Sequence, residues 1–183
     1  MAPRKTIGSR DVHAAIERLA AAIRARHPET DVILMLGIAN GGIALARRLA
    51  RRLGIRRVGD LDISFHRDDI ATHPIPKEYT PTLLPGDVNG ACVVIVDDVL
   101  FTGRTVKAAL DELFDHGRPA RVELAVLVDR GSRTLPVTAD FSGARIDAAD
   151  DEDVVVRLDD DEASDRIEIL ARGPERRRAA AAR

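Results

Sequence analysis

Two adjacent carboxylates stand between an apolar run and a turn of small residues in the second half of this sequence. Val93 to Val96 are apolar, Asp97 and Asp98 follow, and residues 102–105 read Thr-Gly-Arg-Thr before a helical pattern begins. Backbone amides and hydroxyl groups at a helix N-terminus bind phosphate. Two carboxylates repel phosphate and suit sugar hydroxyls, a magnesium ion or a developing cation. The combination predicts a site for a phosphorylated sugar.

Simpler interpretations of this motif are weaker. The P-loop pattern G-x-x-x-x-G-K-[ST] does not occur in the sequence, and the glycines near residue 40 have the wrong spacing for G-x-G-x-x-G. An acidic pair is also an ordinary feature of a helix N-terminus, but the phosphate-type turn that follows argues against that interpretation.

Histidine and cysteine give no sign of a metal site in the sequence. The histidines have no metal-ligand spacing, so we expect them at the surface or in loops, and we expect Cys92 to pack in the core. The histidines are His13, His27, His66, His73 and His116.

Strands and helices alternate along the chain, which predicts an α/β fold with a mostly parallel sheet flanked by helices. Ligands bind beyond the carboxyl ends of the strands in such a sheet, which is where the acidic motif lies. The predicted helices cover residues 11–26, 43–53 and 106–114, and the predicted strands cover 32–36, 61–65, 92–96 and 122–128.

The remaining segments differ in character from this alternation. Residues 67–90 are rich in proline and lack periodicity, which predicts a mobile functional loop. Residues 131–170 contain short strand patterns without helices, which predict a small hood at the C-terminal end of a domain spanning residues 1–172. Residues 173–183 are rich in arginine and alanine, and we expect a disordered basic tail there.

Composition excludes several classes of function. The chain has 183 residues and a formal charge of −2, without the strongly basic balance of a dedicated nucleic-acid binder. Aromatic residues make up 3% and tryptophan is absent, which argues against a base-stacking platform. The apolar runs are far shorter than the roughly 18 residues of a membrane-spanning helix. With a single cysteine and no signal-peptide pattern, we expect a cytoplasmic protein.

Four stretches of this sequence resemble known proteins. Residues 97–105 resemble the phosphoribosyl pyrophosphate signature of type I phosphoribosyltransferases. Together with residues 61–69, 117–119 and 124–131, they resemble the family of pyrimidine operon regulators that double as uracil phosphoribosyltransferases. The resemblance implies the type I phosphoribosyltransferase fold and Mg²⁺-assisted transfer of phosphoribose from phosphoribosyl pyrophosphate to uracil, giving UMP and pyrophosphate. It also implies a homo-oligomer, either a dimer or a tetramer.

The resemblance assigns roles to individual residues. Asp97 and Asp98 would hold the ribose hydroxyls, and Asp98 would also stabilise positive charge at the sugar. Arg67 would approach the pyrophosphate, and Arg130 and Val154 would line the base side. The 5′-phosphate would be wrapped by Val99, Leu100, Phe101, Thr102, Gly103, Arg104 and Thr105.

One loop departs from the family pattern. Many of these regulators have a Thr-Arg pair before the glycine of the pyrophosphate loop, whereas this chain has Asn40 and Gly41. A charged ligand for pyrophosphate is therefore missing, and we expect backbone amides to contribute more.

The regulators also bind an RNA stem-loop in pyrimidine-leader transcripts, and a basic stripe on the second helix is a candidate contact for RNA phosphates. A solvated helix face explains the same pattern, and residues 147–168 carry eleven acidic side chains that should repel phosphates. Two rival functions stay open: a nucleotide-sensing RNA-binding regulator with little catalysis, and a purine-type salvage transferase. The candidate RNA contacts are Arg47, Arg48, Arg51 and Arg52.

Overall fold

The computed structural model describes residues 3–39, 41–66 and 81–172. Within these ranges, the strands form two sheets, and we call the larger one the central sheet and the smaller one the hood. The α-helices are α1 (Ser9–Arg26), α2 (Gly41–Leu53) and α3 (Arg104–Asp115). The strands are β1 (Lys5–Ile7), β2 (Ile33–Ile38), β3 (Val58–Leu61), β4 (Cys92–Leu100), β5 (Arg121–Asp129), β6 (Phe141–Arg145), β7 (Glu152–Arg157) and β8 (Arg166–Ala171).

The central sheet is parallel, with the strand order β3-β2-β4-β5-β6. Its middle strands are apolar because both of their faces are buried. Val94 and Val96 pack against α1 and α2, while Val93 and Ile95 pack against α3. The strand order reverses between β2 and β4, and a crevice at such a switch point is where open α/β sheets bind ligands. The α/β class and the helix-flanked parallel sheet are therefore confirmed.

The hood is antiparallel, with the order β1-β8-β7, and β1 from the start of the chain forms one edge. β1 was not predicted, since three residues carry too little periodicity. The predicted hood began at residue 131 and so included β6. That part of the prediction is wrong, because β6 pairs in parallel with β5 in the central sheet. Gly143 in β6 passes so close to Ala15 and Leu127 that a Cβ would crowd their carbonyl oxygens.

Two other predictions around the acidic motif need correction. The strand predicted at 61–65 lies earlier, at β3, because the Asp62 carboxylate accepts hydrogen bonds from the Ser64 amide and hydroxyl and turns the chain. Residues 81–90, predicted as part of a mobile loop, lie against the sheet: Leu83 exchanges backbone hydrogen bonds with Asp60, and Val88 is buried. The rest of that predicted loop, 67–80, and the predicted tail, 173–183, lie outside the described residues.

No helix in the described part of the chain is both long enough and apolar enough to cross a membrane.

Candidate functional site

The acidic pair lies inside β4 rather than after it, because the strand continues to Leu100 and stays paired with β5. Val99 and Leu100, predicted in the phosphate turn, therefore belong to the strand. The Asp98 carboxylate faces the first turn of α2. The Asp97 carboxylate accepts the Asp98 amide at 2.9 Å, and the Asp98 carboxylate accepts the Val99 amide at 2.8 Å.

Both carboxyl groups are held where ionisation is unfavourable. Burial raises the pKa of Asp97 well above its usual value, and repulsion from Asp98 raises that pKa further. Burial also raises the pKa of Asp98, although hydrogen bonds from Asp97 and from backbone amides oppose the change. A cation or a set of hydroxyl donors beside this pair would restore the stability of the charged form. The pair is therefore suited to bind such groups.

The first turn of α2 approaches the acidic pair directly. A Cβ atom on Gly41 would overlap the Asp98 carboxylate, and a Cβ on Gly42 would overlap the Val96 carbonyl oxygen. Only glycine allows this close approach. The end of β2 and the end of β4 thus converge at the switch point, as a ligand crevice requires. Asn40, the other predicted residue of this loop, lies outside the described residues.

The phosphate-type turn follows β4 as predicted, over residues 101–103. Gly103 has φ of +92° and precedes the first residue of α3, so the turn needs glycine there. The Thr102 hydroxyl accepts the Arg104 amide at 3.3 Å, and the Thr102 carbonyl accepts the amides of Thr134 and Leu135. The segment after β5 therefore supports the turn from behind and presents the N-terminus of α3.

A cleft of about 400 Å³ opens beside Asp98. One wall is the start of α2. The opposite wall is formed by residues 156–159, at the end of β7 and just after it, and we call these residues the hood lip. The lining residues are Gly41, Ala44, Asp98, Val156, Arg157, Leu158 and Asp159. The cleft thus joins the acidic pair to the hood, and it is large enough for a small organic ligand.

Comparisons with known proteins agree with this geometry. The model of the phosphoribosyl transferase domain matches residues 8–162. The chain belongs to the phosphoribosyltransferase family. A bifunctional protein PyrR from Ralstonia nicotianae is 46% identical over 86% of this chain and 91% of its own length. A second, from Chloroflexus aurantiacus, is 42% identical over 91% of this chain and 94% of its own length.

Solved structures show the same fold. A hypoxanthine phosphoribosyltransferase from Staphylococcus aureus superimposes with a TM-score of 0.67, at 21% identity, over 94% of this chain and 93% of that one. The type I phosphoribosyltransferase fold expected from the sequence is therefore confirmed, and the resemblance to the bifunctional regulators is confirmed by the identities above.

The residues expected at the base side of this phosphoribosyltransferase lie where the hood meets β5. Arg130 is buried, its guanidinium lies 3.6 Å from the centre of the Phe101 ring, and it donates to the carbonyl oxygens of Ala149 and Glu152. Its Nε and Nη1 atoms have no hydrogen-bond partner among the described residues. Burial lowers the pKa of Arg130. Val154 is buried on β7, two residues before Val156 of the cleft wall.

The sequence suggested that the four arginines of α2 form one exposed stripe, but the structure shows that they do not. Arg48 is only 5% exposed, and it donates to the Asp165 carboxylate and to the Asp159 carbonyl. Arg52 contacts Glu17 at 2.7 Å and Glu162 at 3.4 Å. These two arginines fasten the hood to the helix, and only Arg47 and Arg51 keep largely exposed side chains.

The hood lip was not predicted as a wall of the cleft. The strand pattern at 154–158 is visible in the sequence, but no local feature shows which part of the molecule this strand packs against. The hood is held to α2 by the ion pair of Asp165 with Arg48, and these two residues are more than a hundred positions apart in the sequence. Arg67, predicted to approach the pyrophosphate, lies outside the described residues.

Proposed function

We propose that this protein transfers the phosphoribosyl group of phosphoribosyl pyrophosphate to uracil, giving uridine monophosphate and pyrophosphate. The observation that carries the proposal is the approach of the Gly41 backbone to the Asp98 carboxylate at the switch point of the sheet. A backbone without a side chain suits pyrophosphate, and an adjacent carboxylate suits the ribose that pyrophosphate leaves. The close relationship to PyrR proteins favours uracil as the acceptor.

The acidic pair acts on the sugar in this proposal. Asp97 and Asp98 accept hydrogen bonds from the ribose hydroxyls, and residues 102–105 hold the 5′-phosphate at the N-terminus of α3. As pyrophosphate departs, positive charge develops at the sugar carbon and ring oxygen, as at other glycosidic centres. Asp98 faces the cleft, so its carboxylate is the group placed to stabilise that charge.

The donor set of the acidic pair fits a magnesium ion. Carboxylate oxygens are the ligands that Mg²⁺ prefers, and Mg²⁺ usually binds through one or two carboxylates together with substrate phosphates. One oxygen of each carboxylate accepts a hydrogen bond from a backbone amide, which fixes the orientation of the carboxylate. Bound magnesium would neutralise charge on the leaving pyrophosphate. This contribution would matter more here, because the resemblance to the regulators implies an arginine where this chain has Gly41.

Arg130 and the hood would contact the acceptor base. The N–H groups of Arg130 without a partner are buried donors of the kind that a carbonyl oxygen of uracil would satisfy. Val154 would provide apolar contact to the ring. The role of Arg67, the contribution of Asn40, the homo-oligomer and the cytoplasmic location stay predictions.

Product formation with competing bases tests the proposal. Purified protein, phosphoribosyl pyrophosphate and Mg²⁺ are mixed with uracil, hypoxanthine or guanine, and nucleotide and pyrophosphate are quantified. We expect uridine monophosphate from uracil and only trace product from the purines. Inosine or guanosine monophosphate as the main product would establish the purine-type alternative instead.

The acidic pair can be tested in the same assay. Asp98→Asn keeps an oxygen for the Val99 amide but removes the charge, so turnover should fall by about 10²–10³. Asp111→Asn is the matched control, because Asp111 is an exposed carboxylate on α3 paired with Lys107. Wild-type turnover in Asp98→Asn would exclude the role given to this carboxylate.

RNA binding is a second function that the exposed part of α2 favours. The side chains of Arg47 and Arg51 are 61% and 68% exposed, and each pairs with an acidic side chain, Asp60 and Glu162 respectively. Phosphates of a pyrimidine-leader stem-loop would replace these carboxylates as the partners of the two arginines. If so, the Arg47→Ser/Arg51→Ser double variant should lower the salt dependence of binding by about one unit of slope per lost contact. An unchanged slope would show that RNA does not bind at α2.

A further inference from the structure

Three side chains that ligate transition metals meet at the end of the central sheet opposite the acidic pair. His27 follows the last residue of α1, Cys92 begins β4, and Glu123 lies near the start of β5. Their ligand atoms all lie within 4.8 Å of one another. This cluster was not visible in the sequence, because the three residues are far apart along the chain. His27 lies in the loop that follows α1, one of the expected places for the histidines, but its side chain is only 13% exposed.

The Glu123 carboxylate has one oxygen against two arginines, while its other oxygen shares a hydrogen bond with His27 that a bound zinc ion would replace. Its Oε1 forms an ion pair with Arg26 at 2.9 Å and accepts a hydrogen bond from Arg121 at 3.2 Å. Its Oε2 lies 2.5 Å from His27 Nε2. Metal-bound carboxylates are commonly fixed in this way by hydrogen bonds to the second oxygen. The side chain is only 3% exposed, so its position is well defined by its neighbours.

The imidazole of His27 is also held in place. Its ring packs edge-on against Phe141, with 6.3 Å between ring centres, and its backbone amide donates to the Ile23 carbonyl. The partial negative charge at the C-terminus of α1 favours a cation at this position. His27 therefore presents Nε2 toward Glu123 and Cys92 from a fixed backbone.

We propose that His27, Cys92 and Glu123 form a binding site for a single zinc ion. One nitrogen, one sulfur and one oxygen ligand are a combination that Zn²⁺ accepts, with a fourth, tetrahedral position left to water or another small ligand. The oxygen-only ligand preference of Mg²⁺ excludes it from this site. The site is separate from the cleft, so zinc here would join α1, β4 and β5 rather than take part in phosphoribosyl transfer.

Arg26 and Arg121 add positive charge beside the proposed site, which weakens binding of a cation, but both side chains are about half exposed and water screens them.

Cobalt absorption spectroscopy gives a direct test. Co²⁺ replaces Zn²⁺ in such sites, and a thiolate bound to Co²⁺ produces a charge-transfer band in the near ultraviolet. Because the sequence contains a single cysteine, that band reports on Cys92 alone. Untagged, full-length protein treated with a chelator is titrated with Co²⁺ and then with Zn²⁺. We expect a thiolate band that saturates at one ion per chain and disappears when Zn²⁺ is added.

Single substitutions separate a three-ligand site from a lone thiol. Cys92→Ser should abolish the band, and His27→Gln should weaken Co²⁺ binding by at least about tenfold. His116→Gln is the matched control, since that exposed histidine also pairs with a glutamate, Glu112, and it should leave the titration unchanged. Circular dichroism checks that each variant is folded. No thiolate band in the wild-type protein, or a band of equal affinity in His27→Gln, would overturn the proposal.

Discussion

The central sheet and the hood are held in place by different interactions. The sheet is fixed by apolar side chains packed on both faces, such as Leu127 against α1 and Ile95 against α3. The hood has a small apolar face, and it is fastened to the helices by charges, chiefly Arg48 with Asp165. Burial of apolar surface depends little on pH or salt, whereas charge pairs depend on both. The hood can therefore loosen under conditions that leave the sheet intact.

Asp165 is the centre of the hood attachment. Its side chain is fully buried and accepts hydrogen bonds from Arg48, from His13 at 3.1 Å and from the Asp159 amide at 2.9 Å. Because Asp159 lies in the hood lip, the same carboxylate that joins the hood to α2 also fixes a wall of the cleft. Hood attachment and cleft shape are therefore coupled.

The largest expected effect comes from breaking this attachment. Asp165→Asn removes the buried counter-ion of Arg48 and leaves only the partly exposed Glu162 at 4.0 Å, which should cost about 3–5 kcal/mol. We expect faster amide hydrogen exchange in β7 and β8, with β4 and β5 still protected. Asp147→Asn, at an exposed carboxylate in the loop between β6 and β7, is the control and should leave exchange unchanged. Equal exchange in the two variants would contradict the difference drawn between hood and sheet.

A core substitution should act on the sheet instead. Leu127→Ala removes a fully buried side chain from β5 and should lower the free energy of unfolding by about 3 kcal/mol. Urea unfolding measures the loss, and the hood and sheet should unfold together in this variant. Leu83→Ala is the control, because that leucine is exposed. A loss of similar size in both variants would argue against apolar packing as the main support of the sheet.

Where sheet and α2 meet, a single methyl group should reduce substrate binding. In Gly41→Ala the new Cβ overlaps the Asp98 carboxylate, so that side chain must move. We expect affinity for phosphoribosyl pyrophosphate with Mg²⁺ to fall by about tenfold, or ~1.4 kcal/mol, in titration calorimetry. Gly8→Ala, where a Cβ meets no atom within 4 Å, should bind as the wild type does. Unchanged affinity in Gly41→Ala would remove this loop from the pyrophosphate site.

Acid should loosen the hood before the sheet. Burial opposes ionisation of Asp165, but hydrogen bonds from Arg48, Asp159 and His13 outweigh it and lower the pKa below the usual 3.8. A carboxyl group with a lowered pKa stabilises the folded state fully at pH values above the ordinary pKa of 3.8. This stabilisation is lost as the pH falls below 3.8 and through the lowered pKa of the folded state. Amide exchange in β8, corrected for intrinsic pH dependence, should rise on acidification in the wild type and change less in Asp165→Asn. An identical pH response in both would assign the effect to other groups.

The smallest effect should come from a charge pair that is exposed. Lys107 and Asp111 form an i, i+4 pair on α3, and both side chains are more than a third exposed. Lys107→Gln should change the free energy of unfolding by about 0.5 kcal/mol or less, because water screens such pairs. If Lys107→Gln lowered the free energy of unfolding as much as Asp165→Asn, burial would not be what makes an ion pair strong in this protein.

The sequence predicted the central sheet because its signals are local. Residues 92–96 form an unbroken apolar run, and the helix after Gly103 has a clear apolar stripe. The convergence of Gly41 with Asp98 also follows from a general rule, since parallel strands bring their carboxyl ends to one edge. β1 and β6 were missed because each is short and carries few apolar residues.

The charge pattern was harder to interpret. The arginines of α2 suggested attraction of phosphates, and the acidic run at 147–168 suggested repulsion, each taken separately. In the folded chain they are partners: Arg48 pairs with Asp165, and Arg52 with Glu162. Pairs between residues so far apart in the sequence produce no periodic pattern, because they depend on how the hood packs against the helices.

The position of β1 also bears on the order in which the chain folds. Lys5 pairs with Ile169, so nearly the whole chain must leave the ribosome before the hood can close. The central sheet through β5 can form earlier, during synthesis, and the second wall of the cleft is completed last. The same pairing brings residues 5–7 and 167–169 side by side. A circular permutant of residues 4–172, closed through a short linker and opened at the exposed Asn89–Gly90 turn, should therefore retain the fold.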